Sequence, residues 1–169
     1  MKIISGCFNI CYLDQMKAAG HARDIINRSG YDGSVEVNFL GFNTDKQNVY
    51  FIQIDTLFVD EKFKIDIENG VKSKFNNMNV ICISSHSHSL PGIDICKPKL
   101  GKINNDYRDF IKDKIIEKIL KSISNKGLSE IFFSRHRKFS ELSIGRRGSK
   151  SKSNYSILAL RNTVPDFSN

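Results

Sequence analysis

Two histidines separated by one residue, His86 and His88, are the side chains of this sequence best suited to chemistry. This histidine pair lies in a serine-rich loop that follows an apolar run and ends at Pro91-Gly92. In extended backbone, alternate side chains share one side, which puts the two Cβ atoms roughly 6–7 Å apart. Neutral imidazole is the commonest metal ligand, and catalytic zinc sites keep an open water position. The pair is therefore a candidate zinc site, although two histidines in such a loop are often only solvated residues.

The elements before the loop predict where the pair is placed. Residues 49–54 and 80–84 read as apolar strands, and a helix is predicted between them over 60–74. A strand–helix–strand unit makes its two strands parallel, so both carboxyl ends meet at one edge of the sheet. Asp55 leaves the first strand there, and the histidine pair leaves the second. Ligands of open α/β sheets bind outside these carboxyl ends, which favours a functional site.

Hydrophobic periodicity predicts the remaining elements of an α/β fold. Alternation over 35–42 (Val35, Val37 and Phe39 against polar neighbours) predicts a strand that forms an antiparallel hairpin with 49–54. The fold class is a mixed sheet with a βαβ core and an antiparallel hairpin, with helices packed on the sheet. Further predictions are a first strand over 2–5 ending at Gly6, a short helix within 13–19, a helix over 106–124, a third parallel strand over 129–134, and strands over 139–144 and 155–160.

Length and composition are those of a single globular domain spanning residues 1–169. Apolar residues make up 40% of the chain and charged residues 26%, which argues against disorder. No apolar run of about 18 residues predicts a transmembrane segment, and the start lacks the pattern of a signal peptide. Four scattered cysteines are interpreted as reduced thiols, and the protein is expected to be cytoplasmic.

The net charge of +8 is concentrated in one segment, residues 135–152. This segment holds seven lysines and arginines against one glutamate, a local charge of +6. It is either a solvated face or a docking surface for an anionic surface or a second chain. Nucleic acid is not favoured as the partner, because no helix-turn-helix, zinc knuckle or aromatic ribonucleoprotein motif accompanies the charge.

The ordered motifs resemble the amino-terminal part of the neutral/alkaline, non-lysosomal ceramidases. The loop reads Ser84-Ser-His-Ser-His-Ser-Leu-Pro-Gly92 and is similar to that family's His-Thr-His-Ser-Gly-Pro-Gly signature. The segment Ile54-Asp55-Thr56 resembles a family strand that ends in Asp, and Ser143-Ile-Gly-Arg-Arg147 resembles its Asn-Arg-Arg element. The resemblance covers most of the 169 residues but only the amino-terminal third or less of a typical member.

This resemblance implies a zinc-dependent amidase that cleaves the N-acyl bond of a ceramide-like lipid. It implies that His86 is a zinc ligand, that His88 stands beside the metal as a hydrogen-bond donor or proton carrier, and that Arg146 lies near the polar head of the substrate. Zinc polarises a carbonyl and activates water, and a neighbouring imidazole can carry a proton to the leaving amine. An arginine offers a planar fork of donors to a carboxylate or hydroxyl.

The sequence also departs from the family pattern. Leu90 replaces a glycine of the signature, and Gly145 replaces the asparagine before the arginines. The family's other metal ligands, a second His, a Glu and a Tyr, come from later parts of the chain, and His21 and His136 do not match their positions. The hypothesis is therefore a ceramidase-like fragment, from a truncated or split gene, that is inactive alone or is completed by a second chain.

Three other interpretations stay open at this point. The first is an accessory domain that docks through residues 135–152, and the second is a structural remnant with exposed apolar surface. The third and weakest is a cysteine or serine hydrolase using Cys96 or Ser89 near the histidines, with Asp94 close by. No nucleophile-elbow pattern supports that third interpretation.

Overall fold

The structure is a computed structural model that describes residues 2–12, 18–20, 34–72, 74, 77–100, 103–122, 129–136 and 155–162. In the last two of these ranges it describes the backbone. The chain divides into two compact units, Met1–Lys126 and Gly127–Asn169, and each is described by itself. The prediction of one domain over 1–169 stays a prediction.

The first unit contains a mixed four-stranded sheet with the strand order β1-β2-β3-β4. The pairs β1–β2 and β2–β3 are antiparallel, whereas β3 and β4 are parallel. Helix α1 connects the parallel strands, and helix α2 follows the histidine loop. This arrangement confirms the predicted α/β class. The elements are β1 (Lys2–Cys11), β2 (Ser34–Asn43), β3 (Asn48–Ile54), α1 (Glu61–Val71), β4 (Met78–Ser84), a 3-10 turn (Pro98–Leu100) and α2 (Asn105–Ser122).

One face of the sheet packs against the two helices because the strand and helix periodicities place apolar residues there. In β2 the predicted alternation is confirmed, with Val35, Val37 and Phe39 buried. Both helices contribute a stripe at three- and four-residue spacing. The fully buried side chains of this core include Tyr50, Ile52, Ile54, Phe63, Ile67, Val71, Ile111, Ile115 and Ile119.

The opposite face of the sheet is also apolar, but it reaches solvent. Phe51 pairs with Ile81 in register, and Gln53 pairs with Ile83. The exposed fractions of the three apolar side chains are 38%, 43% and 47% in the order Phe51, Ile81, Ile83. Parallel strands are normally covered on both faces, so this surface has the composition of a buried one.

The first strand is longer than the sequence pattern predicts. The expected end at Gly6 is wrong, because antiparallel pairing with β2 continues through Gly6, which lies opposite Phe39. The Phe39 ring occupies the space that a Cβ atom at Gly6 would fill. A glycine that looks like a strand terminator is here covered by a cross-strand aromatic ring.

The second unit contains a two-stranded antiparallel sheet made of β5 (Ser129–His136) and β6 (Tyr155–Asn162). Strands were predicted at both places, but the prediction of a third parallel strand over 129–134 is wrong. Its observed partner is β6, which runs in the opposite direction. The predicted strand over 139–144 and most of the predicted helix within 13–19 lie outside the described residues. Where the structure is described, no helix is long and apolar enough to span a bilayer.

A buried ion pair joins the two helices to the chain after the histidine loop. The side chain of Asp60 accepts hydrogen bonds from both terminal nitrogens of Arg108, at 2.5 and 3.0 Å. Asp60 also accepts from the backbone N–H groups of Phe63, at 2.9 Å, and Ile95, at 3.0 Å. The Arg108 guanidinium donates in addition to the backbone carbonyl of Ile93. One carboxylate thus caps α1, holds α2 and fixes residues 93–95.

The charge state of Asp60 follows from these contacts. Burial by itself raises the pKa of this carboxyl, since it disfavours the charged form. The hydrogen bonds from Arg108, Phe63 and Ile95, together with the positive charge of Arg108, outweigh burial and hold the pKa below its ordinary value. Asp60 therefore stays ionised in the folded protein, and the pair is charged on both sides.

Replacing Arg108→Met should lower the free energy of unfolding by about 3–5 kcal/mol, because the buried Asp60 carboxylate loses its charged partner. Urea denaturation followed by circular dichroism measures this change. The control is Lys121→Gln, which removes an exposed ion pair with Glu117 on the same helix and should leave the urea midpoint close to that of the wild type. A loss below about 1 kcal/mol for Arg108→Met would show that the buried pair does not stabilise the fold.

The lowered pKa of Asp60 also predicts how stability depends on acid. The stabilisation is complete above the pKa of an unfolded aspartate, about 3.9, and is lost as pH falls through the lower folded value. Urea midpoints between pH 7 and pH 3 should therefore fall more steeply at the acid end in the wild type than in Asp60→Asn. Parallel acid profiles for the two proteins would contradict the assignment.

Candidate functional site

The candidate site lies at the carboxyl ends of the parallel strands β3 and β4. The last registered pair is Ile54 with Ser84, and the next amide, that of Ser85, donates to the carbonyl of Ile54 at 3.1 Å. Beyond this point the Ser85 hydroxyl is hydrogen-bonded to the Asp55 carboxylate. The predicted placement of Asp55 and the histidine pair at one edge of the sheet is thus confirmed.

The backbone at His86 is not extended, in contrast to what the one-residue spacing of the two histidines had predicted. His86 has a φ of 63°, in the left-handed region that residues other than glycine seldom adopt. The two imidazole rings nevertheless meet, with centroids 5.2 Å apart and planes at 86°. The turn at His86, and not side-chain alternation, brings them together. Backbone conformations of this kind are enriched at functional sites.

Each histidine is anchored through its Nδ1 atom to a backbone carbonyl. His86 Nδ1 lies 3.2 Å from the carbonyl oxygen of Leu57, and His88 Nδ1 lies 3.2 Å from that of Gly20. A carbonyl oxygen only accepts hydrogen bonds, so each of these hydrogen bonds requires the proton on Nδ1, and in a neutral imidazole the lone pair is then on Nε2. Metal-binding histidines are oriented in this way, by donation from the second ring nitrogen to a carbonyl or carboxylate.

Aromatic and charged neighbours complete the surroundings of His86. The Phe58 ring meets the His86 imidazole edge-on, with centroids 4.9 Å apart. The Lys97 ammonium lies 4.3 Å from the centre of the Phe58 ring and 3.2 Å from the buried carboxylate of Asp94. Phe58, Asp94 and Lys97 also line a small apolar cleft. The shared edge of β3 and β4 was predicted from the sequence, but no role was predicted for Phe58 or Lys97, because contacts between side chains of the two loops leave no spacing pattern in the sequence.

The second histidine depends on a glycine that is distant in sequence. Gly20 has a φ of +83°, and a Cβ atom at this position would collide with the His88 ring and approach a methyl group of Leu57. The segment around it is fixed by backbone hydrogen bonds from Ala19 to Leu90, at 2.8 Å, and from Gly20 to Leu100, at 2.5 Å. The close approach of His88 therefore requires glycine at position 20.

The donor set fits part of a zinc site. Two imidazoles with Nε2 as the acceptor nitrogen are suitable ligands, and zinc sites take three or four protein ligands. Among the described residues, no group of three or more His, Cys, Asp or Glu side chains is arranged to hold a metal. Arg146 and His21 lie outside the described residues, as does the side chain of His136. The roles assigned to His86, His88 and Arg146 stay predictions.

Comparison with solved structures relates the fold to ceramidases. Over 96% of its length the chain is similar to neutral ceramidase from Pseudomonas aeruginosa, with a TM-score of 0.74 at 11% identity. A ceramidase complexed with C2 gives a TM-score of 0.73, also at 11% identity and 96% coverage. The chain spans 29% of the length of each of these proteins. The sequence matches no family model and no curated protein. The likeness is one of fold.

Replacing Gly20→Ala should move the His88 ring and destabilise the protein, because the new Cβ atom meets both the ring and a disfavoured φ. The expected cost is about 1–2 kcal/mol from backbone strain alone, measured as a shift of the urea midpoint. Long-range proton–nitrogen NMR spectra should show a changed His88 signal.

The matched control for this substitution is Gly92→Ala, whose Cβ atom would meet, among the described residues, the Ala19 methyl group at 3.3 Å. The control should leave the His88 signal close to its wild-type position. Equal spectra for wild type and Gly20→Ala would contradict the close packing of the ring against residue 20.

Proposed function

We propose that this chain supplies the histidine-bearing part of a ceramidase-like, zinc-dependent amide hydrolase. The observation that carries the proposal is the histidine pair itself. Two solvent-exposed imidazoles meet at the carboxyl edge of a parallel strand pair, and both are anchored through Nδ1 to backbone carbonyls. The fold shared with two ceramidases supports the reaction class, and the substrate proposed from it is a ceramide-like N-acyl lipid.

In this proposal the two histidines have different roles. His86 is the zinc ligand, as the ceramidase resemblance implies, and its ring is held by the Leu57 carbonyl and the Phe58 ring of the loop after β3. His88 holds its Nδ1 proton on the Gly20 carbonyl, so Nε2 can accept a proton from the attacking water and deliver it to the leaving amine. A zinc ion held there would polarise the amide carbonyl and lower the pKa of a bound water. Arg146 is proposed to bind the polar head of the substrate.

The ligand set limits what the described residues do alone. His86, even with His88 as a second donor, provides fewer ligands than a catalytic zinc site uses, so further ligands are proposed to come from a second polypeptide or from residues beyond those described. We therefore expect weak zinc binding and no robust turnover by the 169-residue chain by itself. This expectation separates a ligand-contributing chain from a self-sufficient enzyme.

Zinc titration of the purified chain tests the proposal, with His86→Ala and His88→Ala as variants. The wild type should bind one zinc ion more weakly than about 1 μM, and His86→Ala should weaken binding at least tenfold, since it removes one of few ligands. Isothermal calorimetry in a non-coordinating buffer measures both affinities. Binding by the wild type that His86→Ala leaves unchanged would reject the assigned ligand.

Hydrolysis of a short-chain fluorescent ceramide with zinc present provides the second measurement. The chain alone should show no turnover above background. Robust turnover that His86→Ala abolishes would show a complete active site and overturn the expectation of inactivity.

For the zinc titration, Glu61→Gln is a suitable control variant, because this exposed carboxylate on α1 pairs with Lys64 and not with the histidine loop.

A further inference from the structure

The hydrogen bond between Asp55 and Ser85 stands immediately before the turn that carries the histidine pair. The Ser85 hydroxyl donates to a carboxylate oxygen of Asp55. Bonds of this charge-assisted type are shorter and stronger than those between neutral groups. The two residues come from different strands and are 30 positions apart in sequence. Their side chains therefore link the residue that follows β3 to the residue that follows β4, directly before the turn at His86.

Both partners sit on backbone that the sheet already holds. The Asp55 amide donates to the carbonyl of Glu36 on β2 at 2.9 Å, and the Ser85 amide donates to that of Ile54 on β3 at 3.1 Å. The side-chain bond is thus not needed to pair the strands. Asp55 is half-buried and Ser85 is exposed, so neither side chain adds to the apolar core.

The backbone conformation of His86, the residue after Ser85, requires stabilising contacts nearby. His86 adopts a φ of 63°, which is unfavourable for an L-residue with a Cβ atom. The contacts that follow the turn, from His86 to the Leu57 carbonyl and the Phe58 ring, fix the imidazole only if the turn is formed. The hydrogen bond from Ser85 to Asp55 restrains the chain on the amino-terminal side of this turn and so helps to keep the turn formed.

We propose that Asp55 is a positioning residue that acts through the Ser85 hydroxyl to hold His86 in its left-handed conformation and so aim the imidazole. The two contacts bracket the turn, with Asp55–Ser85 before it and His86–Leu57 after it. The consequence for metal binding rests on the proposed function, whereas the effect on ring geometry does not. Loss of partners that orient metal ligands typically weakens metal affinity 10- to 100-fold.

The experiment compares four variants of the full chain: Ser85→Ala, Ser85→Thr, Asp55→Asn and Thr44→Ala. Ser85→Ala removes the donor, Ser85→Thr keeps a hydroxyl, and Asp55→Asn keeps an acceptor but removes the charge. Thr44→Ala is the matched control, because it removes a hydroxyl that is hydrogen-bonded to Gln47 in the β2–β3 turn. Its loss should affect stability without reaching the histidines.

The first readout is the long-range proton–nitrogen NMR spectrum of the histidine side chains without metal. In the wild type, His86 should show the tautomer with the proton on Nδ1. In Ser85→Ala the His86 signals should shift toward a mixture of tautomers, with a smaller shift in Asp55→Asn. Ser85→Thr and Thr44→Ala should resemble the wild type. Unchanged His86 signals in both Ser85→Ala and Asp55→Asn would overturn the proposal.

The second readout is zinc affinity, where Ser85→Ala should weaken binding 10- to 100-fold and Ser85→Thr should restore it. Wild-type affinity in Ser85→Ala would also count against the positioning role. If the wild type binds no zinc, the proposed function fails, and the metal-free NMR comparison alone decides the role of Asp55. The two failures are therefore distinguishable.

Discussion

The buried ion pair between Asp60 and Arg108 is the interaction on which the candidate site depends. Asp60 begins α1 directly after the loop that carries Leu57 and Phe58, which contact the His86 ring. Arg108 holds the carbonyl of Ile93, just after the histidine loop. One carboxylate and one guanidinium therefore fix the end of the loop that contacts His86 and the segment that follows the histidine loop. A buried ion pair is a weak source of net stability, but removing one partner is costly, so the pair enforces a specific arrangement.

The site combines a rigid support with an exposed polar loop. The sheet fixes Asp55 and Ser85 through backbone hydrogen bonds, whereas the histidine rings are held by backbone carbonyls and ring contacts. Backbone carbonyls cannot change their charge, so they fix the tautomer of each imidazole without competing for a proton. Such an arrangement suits a ligand that approaches from solvent at the edge of the sheet.

The face of the sheet opposite the helices exposes apolar side chains to solvent. Phe51, Ile81 and Ile83 form an apolar surface opposite the helices, and the apolar run in β4 resembles that of a strand covered on both faces. The expectation of exposed apolar surface, raised with the structural-remnant interpretation, agrees with this finding. The solved ceramidases are more than three times as long as this chain, so their corresponding fold is one part of a larger protein.

Local sequence patterns were sufficient for most of the fold. Alternation and three- to four-residue periodicity predict β2, β3, β4, α1 and α2, because they report which side of each element is apolar. The parallel pairing of β3 and β4 then follows from the helix between them, and with it the meeting of Asp55 and the histidine pair at one edge. The predicted end of β1 at Gly6 was wrong, because the Phe39 ring on the neighbouring strand covers the glycine and the strand continues.

The tertiary structure alone decided the details that orient the histidines. The carbonyl that holds His88 belongs to Gly20, 68 residues away, and Arg108 reaches Asp60 across 48 residues. The left-handed φ of His86 and the direction of β5 are likewise visible only in the tertiary structure. The sequence by itself determined which residues are suited to the chemistry and at which edge they lie. The orientation of the two histidine rings depends on backbone carbonyl groups, which every residue carries. The residue types in the sequence therefore do not predict this orientation.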